Sequence, residues 1–473
     1  MLDNSNSKKI NHFYLVSIAF VSAMGGLLFG YDWVVIGGAK PFYELFFRIS
    51  DNPFLQGWAM GCALLGCVIG AILSGFLADS WGRKKPLVLA ALFFSISAFG
   101  TGYADTVSAF VFFRVLGGVG IGLASTLSPL YIAEMAPARY RGRLVSLNQL
   151  TIVIGILLAQ IVNYSIAEPI PTTYTDAQIE DSWNGQMGWR FMFLAEGVPA
   201  LLFLFCMFLV PDSPRFLVKR GRLTEAAAVM QKIANTDYAY KQLAAIKQSL
   251  ANTENQDSHL SKITAKKIRP IILLGVVLAI FQQWCGINII FNYAQEVFAS
   301  AGFGINDILF NIIITGSVNL VFTLLALKLV DKWGRRNLLR KGALGLAITY
   351  TLLGVAYYLG LKGVLVLVLI VMGIGIYAMT LAPITWVVLS EIFPNRWRGK
   401  LMAVATLALW IASFLLTYTF PVLHDLFGAS GTFWAYGVIC LLGYVFITKR
   451  LPETKGKSLE EIEIRLIGRS KLN

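Results

Sequence analysis

Charge is scarce in this sequence: Asp, Glu, Lys and Arg make up 14% of its 473 residues, against about 25% in soluble domains. So little charge argues against a water-exposed surface wrapped around a soluble core. Cysteine is sparse too. Cys62, Cys67, Cys206, Cys285 and Cys440 sit in or beside apolar segments, with no C-x-x-C spacing and no histidine pattern beside them. That excludes a disulfide framework and a cysteine metal site, and leaves five small buried hydrophobes. No catalytic triad, nucleotide-binding loop or zinc motif stands out, so neither an enzyme nor a metal or other cofactor is expected. The glycine runs "GCVIG" and "GGVGIG" follow no strand, which argues against phosphate cradles and for close helix packing. "NYS" at Asn163 matches a glycosylation acceptor but lies at a helix end, and is read as chance.

What the chain does have is apolar length. It is 56% hydrophobic, with a mean hydropathy of +0.66. About twelve apolar spans cover 13–37, 56–79, 86–104, 108–133, 143–166, 189–210, 270–299, 308–330, 338–360, 363–390, 400–422 and 431–450. A bilayer crossing takes roughly 20 residues as a helix, and a helix satisfies its own backbone hydrogen bonds in lipid. The first span reaches Gly37 without a small-residue cleavage site, so it is expected to be a retained helix and not a signal peptide.

The net charge of +14 lies in short clusters between spans, which points to membrane topology and away from nucleic acid. "DSWGRKKP", "APARYRGR", the 212–268 segment, "DKWGRRN" and "PNRWRGK" are rich in Lys and Arg; the 167–188 loop has acids and neither. Lys40 and Arg48, placed in the first outer loop, and Lys362 are exceptions. The bias puts both termini in the cytoplasm. The expected division is a cytoplasmic N-terminus (1–12), an N-terminal six-helix bundle (13–210), a cytoplasmic helical linker (211–268), a C-terminal six-helix bundle (269–450) and a cytoplasmic tail (451–473). "RLTEAAAVMQKIA" and "YKQLAAIKQSL" have helical spacing, and "SLEEIEIRLIG" opens on a capping-box pattern, so short helices are expected in the linker and tail.

Two motifs repeat. "LADSWGRKK" is similar to "LVDKWGRRN", with Asp331 lying 252 positions after Asp79. "YIAEMAPARYRGRL" is similar to "VLSEIFPNRWRGKL", with Arg398 lying 257 positions after Arg141. Two motifs at nearly one offset imply two like halves of about six helices in the same orientation. That is an architecture of secondary transporters, whose substrate site lies between the halves near the midplane.

"GFLADSWGRKK", "RVLGGVGIG", "YIAEMAPARYRGRL", "PDSPRFL", "FQQWCGIN", "VDKWGRR", "SEIFPNRWRGK" and "PETKG" together resemble the sugar porter branch of the major facilitator superfamily, in the family's order and over nearly the whole chain. Within it the sequence resembles the bacterial proton-coupled xylose symporters. The resemblance implies an all-α membrane protein of the major facilitator fold, about twelve transmembrane helices in two pseudo-symmetric bundles. It also implies a monosaccharide:proton symporter working by alternating access in the inner (plasma) membrane. The expected partners are a small sugar, a proton and the lipid bilayer, and the expected state is a monomer.

A sugar offers many hydroxyls and a few C–H faces. Neutral amides donate to and accept from the first, and an aromatic ring packs on the second. The spans supply Gln160, Gln282, Gln283, Asn288, Asn292, Asn319, Trp386 and Trp410. Adjacent glutamines in an apolar helix are costly unless they face a wet cavity, and Gly286 lets the backbone bend beside them. Interhelical polar glue is the alternative, above all for Asn319. By resemblance, Gln160, Gln282, Gln283, Asn288, Asn319 and Trp386 fall at sugar-binding positions, and Trp410 lines the same cavity. Leu409 stands where a glutamine is expected and Ala382 where a glycine is usual, which leaves pentose or hexose open. The repeated clusters, Asp79, Arg83, Glu134 and Arg141 in one half and Asp331, Arg335, Glu391 and Arg398 in the other, resemble the family's gating salt bridges. Solvated topology charges are their plainer alternative.

One charged position demands a partner. Asp32 lies in "LLFGYDWVVIG", about five residues from the outer end of the first span. Arg114 and Glu196 lie about six and seven residues below the outer ends of the fourth and sixth spans. At roughly 1.5 Å per residue all three sit about 8–10 Å below that boundary. Arginine keeps its charge, so a buried Arg114 wants a carboxylate. Desolvation and Arg114 pull Asp32 toward opposite protonation states. A change in their distance changes proton affinity, and protonation biases conformation in return. A permanent structural ion pair is the alternative. The proton symporters have an acid at the position of Asp32 and an arginine at that of Arg114; the facilitative carriers keep the arginine and typically have asparagine for the acid. A passive sugar uniporter, or a transporter-like sugar sensor, remains as a rival function.

Overall fold

The computed structural model describes residues 10–171, 173–259, 265–394, 397–455, 461–462 and 466. The described residues form helices and no strands. In chain order the helices are α1 (His12–Phe46), α2 (Pro53–Trp81), α3 (Lys84–Gly102), α4 (Val107–Met135), α5 (Ala138–Ile166), α6 (Asp176–Glu180), α7 (Trp189–Leu209), α8 (Pro214–Lys219), α9 (Leu223–Ile233) and α10 (Thr236–His259). They continue with α11 (Ala265–Trp284), α12 (Ile287–Asn292), α13 (Ala294–Ser300), α14 (Ile305–Trp333), α15 (Arg335–Tyr358), α16 (Val364–Met379), α17 (Leu381–Ile392) and α18 (Arg398–Arg450).

Helix starts follow local chemistry. The Asn52 side chain accepts from the amides of Phe54 (3.1 Å) and Leu55 (3.2 Å), with Pro53 as the first helical residue. Thr106 and Ser213 cap α4 and α8 in the same way. Eleven helices among the described residues are long and apolar enough to cross a membrane. The last has 53 residues and a non-helical glycine, Gly428, inside it. At about 1.5 Å per residue it is roughly 80 Å long, far more than a bilayer core of about 30 Å. It is therefore two crossings joined at Gly428, inside the 423–430 connection expected from sequence, and the chain crosses about twelve times.

Two bundles result. In the first, α1 packs on α4, α5 and α7, α2 on α4, and α3 on α4 and α7. In the second, α18 packs on α11 and α15, and α14 on α16. The bundles meet where α2 touches α18, α5 touches α14, and α1 touches α12, α13 and α14. The chain is an all-α, multi-pass membrane protein of two helical bundles, the architecture that the resemblance to the major facilitator superfamily implies.

Departures from expectation have local causes. α1 does not stop near Gly37 but runs through Pro41 to Phe46, so Lys40 lies inside a helix and is buried, not in a loop. The 167–188 connection holds a short helix started by a capping box of Thr175 and Gln178, then a π turn over Asn184–Gly188. The seventh span breaks at Gly286, whose φ of 87° is left-handed. The tenth breaks at Thr380 (φ −124°, ψ −80°), and Pro383 sits in the first turn of the next helix, where a missing N–H costs little. In the linker, Arg222 hydrogen-bonds Glu225 at 2.6 and 2.5 Å and holds that carboxyl below its usual range, though the pair is exposed. The tail helix expected over 458–468 lies outside the described residues, apart from 461–462 and 466.

The "GGVGIG" run has a packing role. A Cβ on Gly118 of α4 would meet the Ala63 carbonyl oxygen and come within 3.0 Å of Gly66 Cα on α2. Gly118→Val should cost about 1–3 kcal/mol by overpacking, visible as a lower melting temperature in detergent, whereas Gly75→Val, which meets nothing within 4 Å, should leave it unchanged.

Candidate functional site

Among the described residues, six charged side chains are buried: Asp32, Lys40 and Glu44 on α1, Arg114 on α4, and Arg190 and Glu196 on α7. All belong to the first bundle. Asp32 and Arg114 form an ion pair in which Arg114 Nη1 donates to Asp32 Oδ1, and their side chains are 1% and 3% exposed. Arg114 Nη2 also reaches the Asp32 carbonyl at 3.4 Å, and the guanidinium lies 5.6 Å from the Phe193 ring. Glu196 is within electrostatic reach of Arg114. Asp32 Oδ2 and Glu196 Oε1 have no hydrogen-bond partner among the described residues. Gly117 makes room for the pair, since a Cβ there would stand 3.1 Å from Asp32 Oδ2. Two carboxylates thus share one cation, and a proton can occupy the oxygens that the arginine does not.

The neutral amides gather in the second bundle. Across the break at Gly286, Asn288 Nδ2 of α12 donates to Gln283 Oε1 of α11. Gln283 Nε2 donates to Gln282 Oε1 at 2.6 Å, and Gln282 Nε2 donates to the Tyr377 hydroxyl at 2.8 Å. All three amides are buried. The relay fixes which way each one points. Tyr377 on α16 was not singled out in the sequence, where nothing separated it from other aromatic residues of an apolar span.

Aromatic rings link this region to the first bundle. Trp410 on α18 lies 5.7 Å from Phe29 and 6.0 Å from Trp33, both on α1 and flanking Asp32 in sequence. Asn319 on α14 is buried and Trp386 on α17 half-buried. Asn292 is buried with an unpartnered Oδ1, and its carbonyl would lie 3.3 Å from a Cβ on Gly37 of α1. Gln160 stands apart from the relay. Its amide lies over Gly316 of α14, at the contact between bundles, and neither polar atom has a partner among the described residues.

At the Lys/Arg-rich end the repeated clusters pair within bundles. Arg83 meets Glu134 at 2.8 Å, and Arg335 meets Glu391 at 3.2 Å. Asp79 pairs with Lys219 of α8 at 3.1 Å, both exposed. Glu453 of "PETKG" accepts from the amides of Arg335 (2.9 Å) and Arg336 (3.2 Å), capping α15, a task its sequence position did not reveal. Arg398 Nε is buried without a hydrogen-bond partner among the described residues, and Arg141 is exposed. The Asp331 side chain lies outside what is described.

Two like bundles in contact, one holding a relay of buried amides and the other a shielded carboxylate–arginine pair, define a secondary transporter. The family model described as "Sugar (and other) transporter" matches residues 18–466, and the chain belongs to that family, which consists of transporters and not enzymes. The chain is 40% identical to the D-xylose-proton symporter of Escherichia coli (strain K12), over 96% of each chain. It is 37% identical to the arabinose-proton symporter of Bacillus subtilis, over 95% of this chain and 94% of the other. The structure is similar to the inward open conformation of the xylose transporter XylE from E. coli, with a TM-score of 0.82 at 39% identity, covering 95% of this chain and 99% of that one.

Arg114→Leu leaves Asp32 and Glu196 buried without a cation and should cost about 3–5 kcal/mol, read as an early thermal transition in detergent. Replacing Asp32 by Leu in the same protein should recover part of that loss.

Proposed function

We propose that the protein is a proton-coupled symporter that imports a pentose or hexose by alternating access. The observation that carries this reading is the buried Asp32–Arg114 pair with Glu196 beside it in the first bundle, together with the relay of neutral amides in the second. Asp32 carries the proton and Arg114 tunes its release, with Glu196 as the second carboxylate of the site. The sugar is held by Gln282, Gln283 and Asn288, joined by Asn292, Asn319 and Trp386, with Trp410 packing on a C–H face and Gln160 closing the site from the first bundle. The arginine–carboxylate clusters act as gates that re-pair between the bundles in the other conformation. The bundles are residues 13–210 and 269–450, joined by the 211–268 linker, in a monomer with both termini on the cytoplasmic side. The distribution of Lys and Arg supports that orientation.

A neutral sugar gains nothing from a charged cage, whose desolvation is costly. The separation of roles follows: buried charge in the first bundle handles the proton, and neutral amides in the second handle the sugar. The relatives named for xylose and arabinose support a pentose, while Leu409 keeps the second bundle's side of the site more apolar.

Asp32→Asn should abolish uphill accumulation of sugar in proteoliposomes with an imposed proton gradient, while exchange of labelled for unlabelled sugar persists. Sugar added to cells expressing the wild type should make the medium more alkaline. Accumulation by the Asn variant places the coupling proton elsewhere than Asp32, whereas uptake without alkalinisation identifies a passive carrier instead. A panel of unlabelled pentoses and hexoses as competitors ranks the substrates.

A further inference from the structure

A cavity of about 320 Å³ lies between the bundles at the end opposite the Lys/Arg-rich loops. Its wall includes Lys40 and Glu44 of α1, Glu296 of α13, Asp176 of α6, and His424 and Asp425 of α18. Lys40 pairs with Glu44, one helical turn on, at 2.8 Å, and with Glu296 across the bundle boundary. The side chains of Lys40, Glu44 and Glu296 are 2%, 8% and 21% exposed. The ammonium also stands 5.6 Å from the Tyr293 ring. This is a built contact between bundles, and the proposed sugar and proton sites do not use it.

The charges in it do not balance. One ammonium faces two carboxylates, and Glu44 Oε1 and Glu296 Oε2 are buried with no hydrogen-bond partner among the described residues. Among the described residues, Lys40 is the one Lys or Arg on the cavity wall. The other titratable groups facing the cluster are Tyr43 on α1, Cys62 on α2, Asp176 on α6, Tyr293 between α12 and α13, and His424 and Asp425 on α18. None of these brings a permanent positive charge. A net negative charge in a buried site is costly, and one bound proton cancels it while supplying a donor for the unpartnered oxygens.

We propose that Lys40, Glu44 and Glu296 form a second proton-binding site, a latch that holds this end of the two bundles together when it carries one proton and loosens when the proton leaves. With the orientation proposed above, the latch faces the outside. Its proton comes from and returns to the same solution, so it regulates opening without entering the proton count per sugar. The sign follows from linkage. The closed cluster binds one more proton than the same residues separated and hydrated. Closure is therefore fully favoured at low external pH and weakens as pH rises, by at most about tenfold per pH unit for one proton. External acid thus promotes the step that seals the outer side behind a bound sugar.

The test reads conformation, so its outcome is separate from that of the sugar assignment. Nitroxide labels go on Asp51→Cys, in the exposed α1–α2 connection, and Leu426→Cys, exposed near the bend of α18. The parent carries Asp32→Asn, which removes the carboxylate proposed to carry the coupled proton, and Cys206→Ser, which removes the one native thiol that is not fully buried. Pulsed electron–electron resonance then gives distance distributions between pH 5 and pH 8. The expected result is a ratio of short to long distances that falls by up to about tenfold per pH unit in the parent, and no such fall in Glu44→Gln or in Glu296→Gln. A parent whose distances ignore pH overturns the proposal, as does a shift that survives both substitutions. A shift that His424→Gln abolishes while Glu44→Gln keeps it places the proton on the histidine and also overturns it.

Discussion

A charge inside a bilayer has no water to turn to, and the rest of this structure depends on how that constraint is met. Every buried charged residue described here sits on α1, α4 or α7. Each positive group among them is met by at least one carboxylate: Arg114 by Asp32, Lys40 by Glu44 and Glu296, Arg190 by Asp105. Buried arginine and lysine are tolerated only on such terms. The second bundle meets the same constraint differently, with amides that satisfy one another and leave no net charge. The two halves, alike in fold, have therefore divided their chemistry.

The places where ionic balance is incomplete are the places where a proton has room to act. Asp32 and Glu196 share Arg114, and Glu44 and Glu296 share Lys40. Each set has a carboxylate on α1, Asp32 in one and Glu44 in the other, and α1 also touches α12, α13 and α14 of the other bundle. A protonation event on α1 thus acts at a helix that both bundles hold, which is what a population shift between two packings requires. The helix breaks at Gly286 and Thr380 fall in the second bundle. There side-chain donors take up carbonyls beside the breaks, Cys285 that of Gln282 and Thr380 that of Ile376.

Much of this was legible in the sequence. Apolar spans gave the crossings because lipid permits few backbone forms, and the repeated motifs revealed two halves. Loop charge suggested an orientation, and the alternation of spans brought Asp32, Arg114 and Glu196 to one expected depth; the structure buries all three and joins Asp32 to Arg114 directly. The misses share a cause. Lys40 read as a loop residue because a lone lysine seemed to end a span; its two carboxylates, one a turn away and one 256 residues on, keep it in the helix. Tyr377 and Glu453 carried no local signal, because their partners arrive from distant helices. Gln160 looked like the other amides in sequence, yet its helix face turns it to Gly316 and away from the relay.

Composition, span length and motif repetition by themselves determined the membrane class and the twofold architecture, because these follow from the solvent a segment can enter and from order along the chain; the family followed from the resemblance of eight motifs in order. Which amide bonds which, which carboxylate meets which cation, and where an ion cluster bridges the bundles were decided only by tertiary structure. Those facts depend on how helices far apart in sequence are rotated and set in depth against one another. A helix position fixes one face of one helix, and a hydrogen bond needs two.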